Sequence, residues 1–142
     1  MITLKFGGTS MANARRILAS SEIILNRAKE DRISVVVSAV AGVSNSLQAA
    51  IDATTTGISG DTYVSDLRNT HNEICLELQS KLPGFEAEKV MSRLEANFIE
   101  LGKLLAGCVS FGECPDTVHC RIMGMGELLS APIMEAVLLA KK

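Results

Sequence analysis

Two clusters of small and polar residues carry the residue types that could bind a charged small molecule. The first is KFGGTS, from Lys5 to Ser10, which follows a short apolar stretch. Gly7 and Gly8 would allow backbone conformations closed to other residues, and Thr9 or Ser10 could cap a following helix. Such a turn directs free N–H groups and a helix dipole at an anion, beside the charge of Lys5. The alternative is an ordinary strand-to-helix turn with Lys5 in solvent, because the spacing matches neither GxGxxG nor a Walker loop.

The second cluster is SAVAGVSN, from Ser38 to Asn45. Gly42 would let the backbone turn closely past a ligand, while Ser44 and Asn45 offer a hydroxyl and an amide to a small polar molecule. The same side chains could simply cap the next helix. Both interpretations remain open from the residues alone.

One acidic residue, Glu127, lies within MGMGELLSAPIM. An apolar helical pattern runs from Thr117 to Lys141, and Gly124 and Gly126 favour a break in it. Glu127 would then lie near a helix N-terminus, where its charge is favourable and where it could receive an ammonium group. The alternative is an acid that interacts only with the helix dipole.

A strand–helix–strand unit is predicted to bring these clusters together. Apolar residues alternate from Ile2 to Phe6, recur at helical spacing from Met11 to Lys29, and are continuous from Ile33 to Val40. A stretch that is apolar on both faces is typical of a central parallel strand covered by helices on both sides. In a right-handed βαβ unit, the carboxyl ends of both strands meet at one edge, where ligands bind in open α/β sheets.

The middle of the chain is predicted to be helical packing. One helix runs from Ser44 to about Thr55, and a helical hairpin from Asp61 to Leu82 and from Glu86 to Cys108 is broken at Pro83-Gly84. His71 lies on the apolar stripe of the first hairpin helix. We therefore expect it to be a partly buried, structurally satisfied residue and not a general base.

Composition narrows the class of protein. The chain has 142 residues, 47% hydrophobic and 21% charged, which suits one soluble domain or part of a larger one. Its net charge of −2 and its lack of Trp argue against nucleic-acid binding. No apolar run reaches the ~20 residues of a membrane span and no signal peptide is present, so we expect a cytoplasmic protein without a membrane partner.

The four cysteines predict free thiols in a reducing compartment. Cys108, Cys114, His119 and Cys120 cluster in sequence, but their spacing does not match the paired Cys ligands of zinc sites. No metal site is predicted. Cys75 lies on an apolar helix face, as a buried inert thiol would.

The three motifs, in this order and at these spacings, resemble the aspartokinase branch of the amino-acid kinase family. The resemblance implies a three-layer α/β/α fold of which residues 1–142 form the N-terminal portion, with a parallel βαβ core and a helical insertion at about 61–108. The chain departs from the family at Gly124, where a polar residue is common, and at Pro132, which lies inside the expected helix and would kink it.

The resemblance also implies an activity, the transfer of the ATP γ-phosphoryl group to the side-chain carboxylate of L-aspartate, giving 4-phospho-L-aspartate. Lys5, Gly7 and Gly8 would hold the phosphates, with Lys5 catalytic and Mg²⁺ bridging phosphate oxygens. The residues implied to hold aspartate are Thr9, Ser10, Ser38, Ser44 and Glu127.

The resemblance places the nucleoside-binding half and the regulatory domains beyond Lys142. We therefore expect the chain alone to be inactive or very weak, and to self-associate or to need a missing C-terminal half. The alternative is a noncatalytic kinase-like module that binds a small anion or a protein partner. A Rossmann-type dehydrogenase is disfavoured, because the glycine spacing is wrong and no acidic residue ends the second strand.

Overall fold

Helices dominate the fold, and only two strands form. A computed structural model describes all residues from 1 to 142. In chain order the elements are β1 (Ile2–Phe6), a 3-10 helix (Gly8–Met11), α1 (Ala14–Ala28), β2 (Ile33–Val37), α2 (Val43–Thr55), α3 (Asp61–Lys81), α4 (Ala87–Phe111) and α5 (Asp116–Ala140).

The predicted βαβ unit is confirmed, but its helix begins later than expected. β1 and β2 pair in parallel, from Ile2 opposite Ile33 onward. The side chain of Asn13 caps α1 by accepting a hydrogen bond from the backbone N–H of Arg16 at 2.9 Å. The prediction that Thr9 or Ser10 caps this helix is therefore wrong, because the 3-10 helix intervenes between KFGGTS and α1.

β2 is shorter and more exposed than the central strand predicted from 33 to 40. It ends at Val37, and Val36 is 46% exposed opposite Lys5, which is also exposed. Phe6 and Val37, in register on the other face, are buried in the core. One face of this small sheet thus carries the core, while the face of Lys5 is open.

The α3–α4 hairpin is confirmed, with Gly84 at φ +88° in the turn between the helices. The left-handed conformation there requires glycine. The predicted stripes are buried at every position: Val64, Leu67, His71, Ile74, Cys75, Leu78, Val90, Leu94, Phe98, Leu101 and Leu105. The apolar members of both stripes belong to the same hydrophobic core as the strands, so the hairpin is an integral part of the fold.

α5 is one continuous helix, so the predicted break at Gly124 and Gly126 is wrong. It also continues through Pro132, which cannot donate a hydrogen bond to the carbonyl of Leu128. The side-chain amide of Asn97 on α4 donates to that carbonyl instead, at 3.4 Å. This hydrogen bond from another helix replaces the backbone hydrogen bond that Pro132 cannot make.

α5 is also long and apolar enough to cross a membrane by length and composition alone. Its apolar side chains are used inside the protein, however. Ile122, Leu129, Ile133 and Val137 are all fully buried in the shared core. The helix therefore has the character of a core helix.

Candidate functional site

The loops that follow β1 and β2 touch one another. A Cβ placed on Gly8 would lie 3.5 Å from the carbonyl oxygen of Ala39 and 3.8 Å from the Cα of Ala41. The backbone N–H of Ser38 donates to the carbonyl of Phe6 at 2.8 Å, which extends the strand pairing into the loops. The predicted meeting of the two clusters at one sheet edge is confirmed.

The glycines of the first loop are not needed for an unusual backbone. Gly7 has φ −76° and ψ 177°, which any residue can adopt, and Gly8 is likewise outside the left-handed region. The prediction of conformations closed to other residues is wrong at both positions. A Cβ on Gly7 would meet nothing within 4 Å, so the space beside the Cα of Gly7 is open.

The second loop ends at an uncapped helix N-terminus. Gly42 adopts φ +84° at the N-cap of α2, which confirms its role as the turning residue, and no side chain caps the helix. Capping by Ser44 or Asn45 is therefore ruled out, and both are exposed in the first turn. The N–H of Val43 donates to the carbonyl of Val40 at 3.0 Å, so the N–H groups of Ser44 and Asn45 are the first-turn donors left for a polar ligand.

The two charged residues of the candidate site are free. Lys5 and Glu127 are exposed, and neither takes part in any ion pair. Thr9 is also exposed, while Ser10 and Ser38 are half-buried. The site therefore offers a cation, a carboxylate and hydroxyl groups that the protein does not itself use for charge pairing.

Glu127 does not lie where the sequence predicted. It is in the middle of the continuous α5, so the argument from a helix N-terminus is wrong. Its neighbour Gly126 is buried against the second loop, and a Cβ there would lie 2.6 Å from the Cβ of Ala39. Glu127 therefore lies next to the second loop because it follows Gly126 in α5, and not because a helix begins there.

Two buried serines hold the loops, and sequence reasoning missed both roles. The hydroxyl of Ser130, on α5 and 0% exposed, donates to the carbonyl of Ser38 at 2.7 Å. The hydroxyl of Ser20, on α1 and 4% exposed, donates to the carbonyl of Ser10 at 3.1 Å. The signal was a hydroxyl on an otherwise apolar helix face, since a buried polar group needs a hydrogen-bond partner.

The cysteine-rich segment, from Cys108 to Cys120, lies at the end of α4, in the turn that follows and at the start of α5. No group of three His, Cys, Asp or Glu side chains is placed to hold an ion. His119 instead forms a hydrogen bond from Nε2 to the Gln48 side chain at 2.9 Å, which links α5 to α2. Burial raises the pKa of Cys75 to about 12, so this thiol stays protonated, as predicted for an inert cysteine.

His71 is buried more completely than predicted, and only one of its two ring nitrogens has a hydrogen-bond partner. Its Nδ1 lies 2.7 Å from the carbonyl of Leu67, whereas its buried Nε2 has no partner. The ring meets the edge of Phe98 at a centroid distance of 5.9 Å. Burial lowers the pKa of His71, because the charged form is poorly solvated there. This histidine belongs to the core between α3 and α4.

The structure is that of an α/β protein in which the candidate binding groups of two loops lie at the carboxyl ends of two parallel strands. The chain is 34% identical to a bifunctional aspartokinase/homoserine dehydrogenase of Buchnera aphidicola subsp. Acyrthosiphon pisum, over 99% of this chain and 17% of that protein. It is 29% identical to the enzyme of the same name from Haemophilus influenzae, over 96% of this chain and 17% of the relative. No family model matches the sequence.

The fold matches a crystal structure of E. coli aspartokinase III in complex with aspartate and ADP, with a TM-score of 0.78 at 21% identity. That match covers 99% of this chain and 29% of the neighbour. A second structure of aspartokinase III, in complex with lysine and aspartate, gives a TM-score of 0.77. Over almost its whole length the chain is therefore similar to part of an aspartokinase, and it spans about a sixth of the length of the bifunctional relatives.

Proposed function

We propose that this chain supplies the phosphate-binding and amino-acid-binding part of an aspartate kinase, which phosphorylates the side-chain carboxylate of L-aspartate with ATP. The observation that carries the proposal is the contact between the two loops, with Gly8 against Ala39 and Ala41. Groups for a phosphate and groups for an amino acid thereby share one edge of the sheet. The relationship to aspartokinases supports this choice of substrates.

The phosphate end consists of Lys5, Gly7 and Gly8. Lys5 is free of ion pairs, and a Cβ on Gly7 would meet nothing within 4 Å, so the loop leaves open space in which we expect the phosphate chain to lie. Lys5 would stabilise the negative charge that develops during phosphoryl transfer, which is the main catalytic task in such reactions. Mg²⁺, bound through phosphate oxygens, would supply further charge neutralisation.

The amino-acid end consists of Glu127 and the hydroxyl groups of Thr9, Ser10, Ser38 and Ser44. Glu127 would receive the α-ammonium group, since it is exposed and has no competing cation in the protein. The first turn of α2 would receive a carboxylate. A carboxylate nucleophile is already ionised at neutral pH and needs no general base, so alignment of the two substrates is the chain's other task.

We expect the 142 residues alone to catalyse the phosphorylation of aspartate very slowly or not at all. The proposed groups hold phosphates and an amino acid, and none of them holds a nucleoside. A coupled assay with ATP and aspartate measures this directly. Turnover close to that of a complete aspartokinase would contradict the expectation.

A noncatalytic module is the second candidate, and the open sheet face around Val36 favours it. Calorimetry with ATP–Mg²⁺ and with L-aspartate separates the two proposals. A kinase-type site should bind nucleotide weakly and lose that binding in Lys5→Ala, but keep it in Lys103→Ala, which removes an exposed lysine from α4. A pure interaction module should respond equally little to both changes.

A further inference from the structure

The side chains of His119, Gln48 and Asp52 form a polar link between α5 and α2. The Nε2 atom of His119 lies 2.9 Å from the Oε1 atom of Gln48. The side-chain nitrogen of Gln48 donates to Asp52, one turn further along α2, at 3.0 Å. Because this second bond uses the amide nitrogen, the amide oxygen accepts and His119 Nε2 carries the hydrogen. Protonation of Nδ1 would leave that donor in place, so the link has one defined geometry.

The link joins the two helices that carry the proposed amino-acid-binding groups. Gln48 follows Ser44 by one turn and lies on the same face of α2. His119 precedes Gly126 by seven residues, or two turns, and shares a face of α5 with it. α5 therefore contacts α2 twice, at Gly126 near Val43 and, about 10 Å along the helix, at His119.

These two contacts fix different features of the packing. Gly126 has no side chain, so its contact limits how closely α5 approaches the second loop but does little to oppose rotation of α5 about its own axis. Apolar packing is non-directional, whereas a hydrogen bond weakens steeply as its angle departs from linearity. The bond from His119 to Gln48 therefore restrains the rotation of α5 relative to α2.

That rotation determines where the carboxylate of Glu127 lies. The end of a long side chain is about 6 Å from the helix axis, so a rotation of about 10° moves it by about 1 Å. A displacement of about 1 Å can cost about 100-fold in a site that aligns reactants. Because the first turn of α2 would receive a carboxylate of the same amino acid, the spacing of the two helices also determines which length of molecule fits.

We propose that His119 and Gln48 are positioning residues that hold Glu127 and the first turn of α2 at a separation suited to aspartate, and so select it over glutamate, which is one methylene longer. The inference rests on the proposed function, since it requires an amino acid at this site. His119 and Gln48 act through the two helices and do not themselves contact the substrate.

NMR titration of the labelled chain with L-aspartate and, separately, with L-glutamate tests the proposal. We expect His119→Ala and Gln48→Ala each to weaken aspartate binding about tenfold and to reduce the preference for aspartate over glutamate, since one methylene in a fitted pocket is worth about tenfold or more. The double variant should bind about as weakly as either single variant, because both changes remove the same link.

Two further variants separate positioning from a general loss of structure. His119→Gln keeps an amide that can donate to Gln48, so it should restore most of the affinity and of the preference for aspartate. Arg121→Ala removes an exposed ion pair between α5 and Glu100 on α4, and should leave both unchanged. ATP–Mg²⁺ binding should be the same in all variants, because the link does not reach Lys5.

An aspartate affinity or an aspartate-to-glutamate ratio that is unchanged in His119→Ala and Gln48→Ala would overturn the proposal. So would additive losses in the double variant, no recovery in His119→Gln, or an equal loss of ATP–Mg²⁺ binding, which would mean that the changes act on the whole fold. If the unaltered chain binds no aspartate, the proposed function and this inference both fail. Aspartate binding that does not depend on the link refutes the inference alone.

Discussion

Ser130 shows how much of the candidate site is held by a single hydrogen bond. Its hydroxyl is the donor to the carbonyl of Ser38, which begins the second loop. Ser20 has the matching role for Ser10 in the first loop. The free, exposed groups of the site, such as Ser44, are therefore positioned by residues that are not themselves available to a ligand.

Ser130→Ala should loosen the second loop more than the rest of the protein. The change leaves a half-buried carbonyl without its side-chain donor, which costs about 1–3 kcal/mol of the free energy of unfolding. Urea denaturation measures that loss, and amide hydrogen exchange locates it. We expect faster exchange from residues 38 to 45 and weaker aspartate binding. Ser110→Ala, at an exposed position near the end of α4, is the control and should change neither.

A uniform loss of protection throughout the core of the Ser130→Ala variant would contradict this role. So would unchanged exchange in the loop. Either result would mean that Ser130 contributes only to packing, and that the loop is held by the strand pairing between Phe6 and Ser38.

His71 should make the protein less stable in acid. Because burial lowers its pKa in the folded state below the ordinary 6.5, the unfolded chain binds the proton more tightly. The stabilisation is complete above pH 6.5 and is lost as the pH falls through 6.5 towards the folded pKa. In that interval the slope approaches about 1.4 kcal/mol per pH unit for one proton.

Denaturation at a series of pH values measures this effect. His71→Phe keeps an aromatic ring against Phe98 but cannot titrate, so we expect its unfolding free energy to depend less on pH in the same interval. Equal pH dependence of the two proteins would show that His71 is not the responsible group.

At the level of elements, α5 shows why local glycine signals mislead. Gly124 is exposed and a Cβ there would meet nothing within 4 Å, whereas Gly126 is pressed against Ala39. Glycine thus only lowers the helix propensity at position 124, whereas at position 126 it permits the close contact with Ala39. A sequence cannot distinguish them, because the difference depends on Ala39, which lies far away in the chain.

The two glycines therefore predict opposite effects of alanine. Gly124→Ala should stabilise the protein by up to about 1 kcal/mol, the difference in helix propensity. Gly126→Ala should destabilise it by about 1–3 kcal/mol, since the new methyl group overpacks against the backbone-attached Cβ of Ala39. Thermal denaturation of both variants measures these two changes in stability. Similar shifts of the midpoint in the two variants would contradict the close contact between α5 and the loop.

The helices that were predicted well are those whose faces are regular. The stripes of α3 and α4 repeat at helical spacing, and all their members are buried. The start of α1 was predicted less well, because Thr9 or Ser10 was expected to cap it, whereas the 3-10 helix moves the start to Asn13. Pro132 was expected to kink its helix. The hydrogen bond to the unpaired carbonyl of Leu128 comes from Asn97 on another helix, so the sequence around Pro132 could not show it.

At the scale of the whole molecule, the strands, the hairpin and α5 share one core. The meeting of the two loops was predictable, since the carboxyl ends of neighbouring parallel strands lie at the same edge of the sheet. The position of Glu127 was not, because it depends on how α5 crosses the second loop. An uncovered edge and face were expected of a partial sheet, but the sequence did not show that Val36 and the groove beside β2 would form them, since a run of valines looks the same whether or not other elements cover it.

The central claim is that the two loops form one substrate site that depends on Lys5. An NMR titration of the labelled chain with ATP–Mg²⁺ and L-aspartate tests it most directly. We predict that ATP–Mg²⁺ shifts the amide signals of residues 5–10, that aspartate shifts those of 38–45 and Glu127, and that Lys5→Ala abolishes the first response while Lys103→Ala preserves it. Ligand shifts that map outside these loops, or an ATP response that survives Lys5→Ala, would contradict the claim.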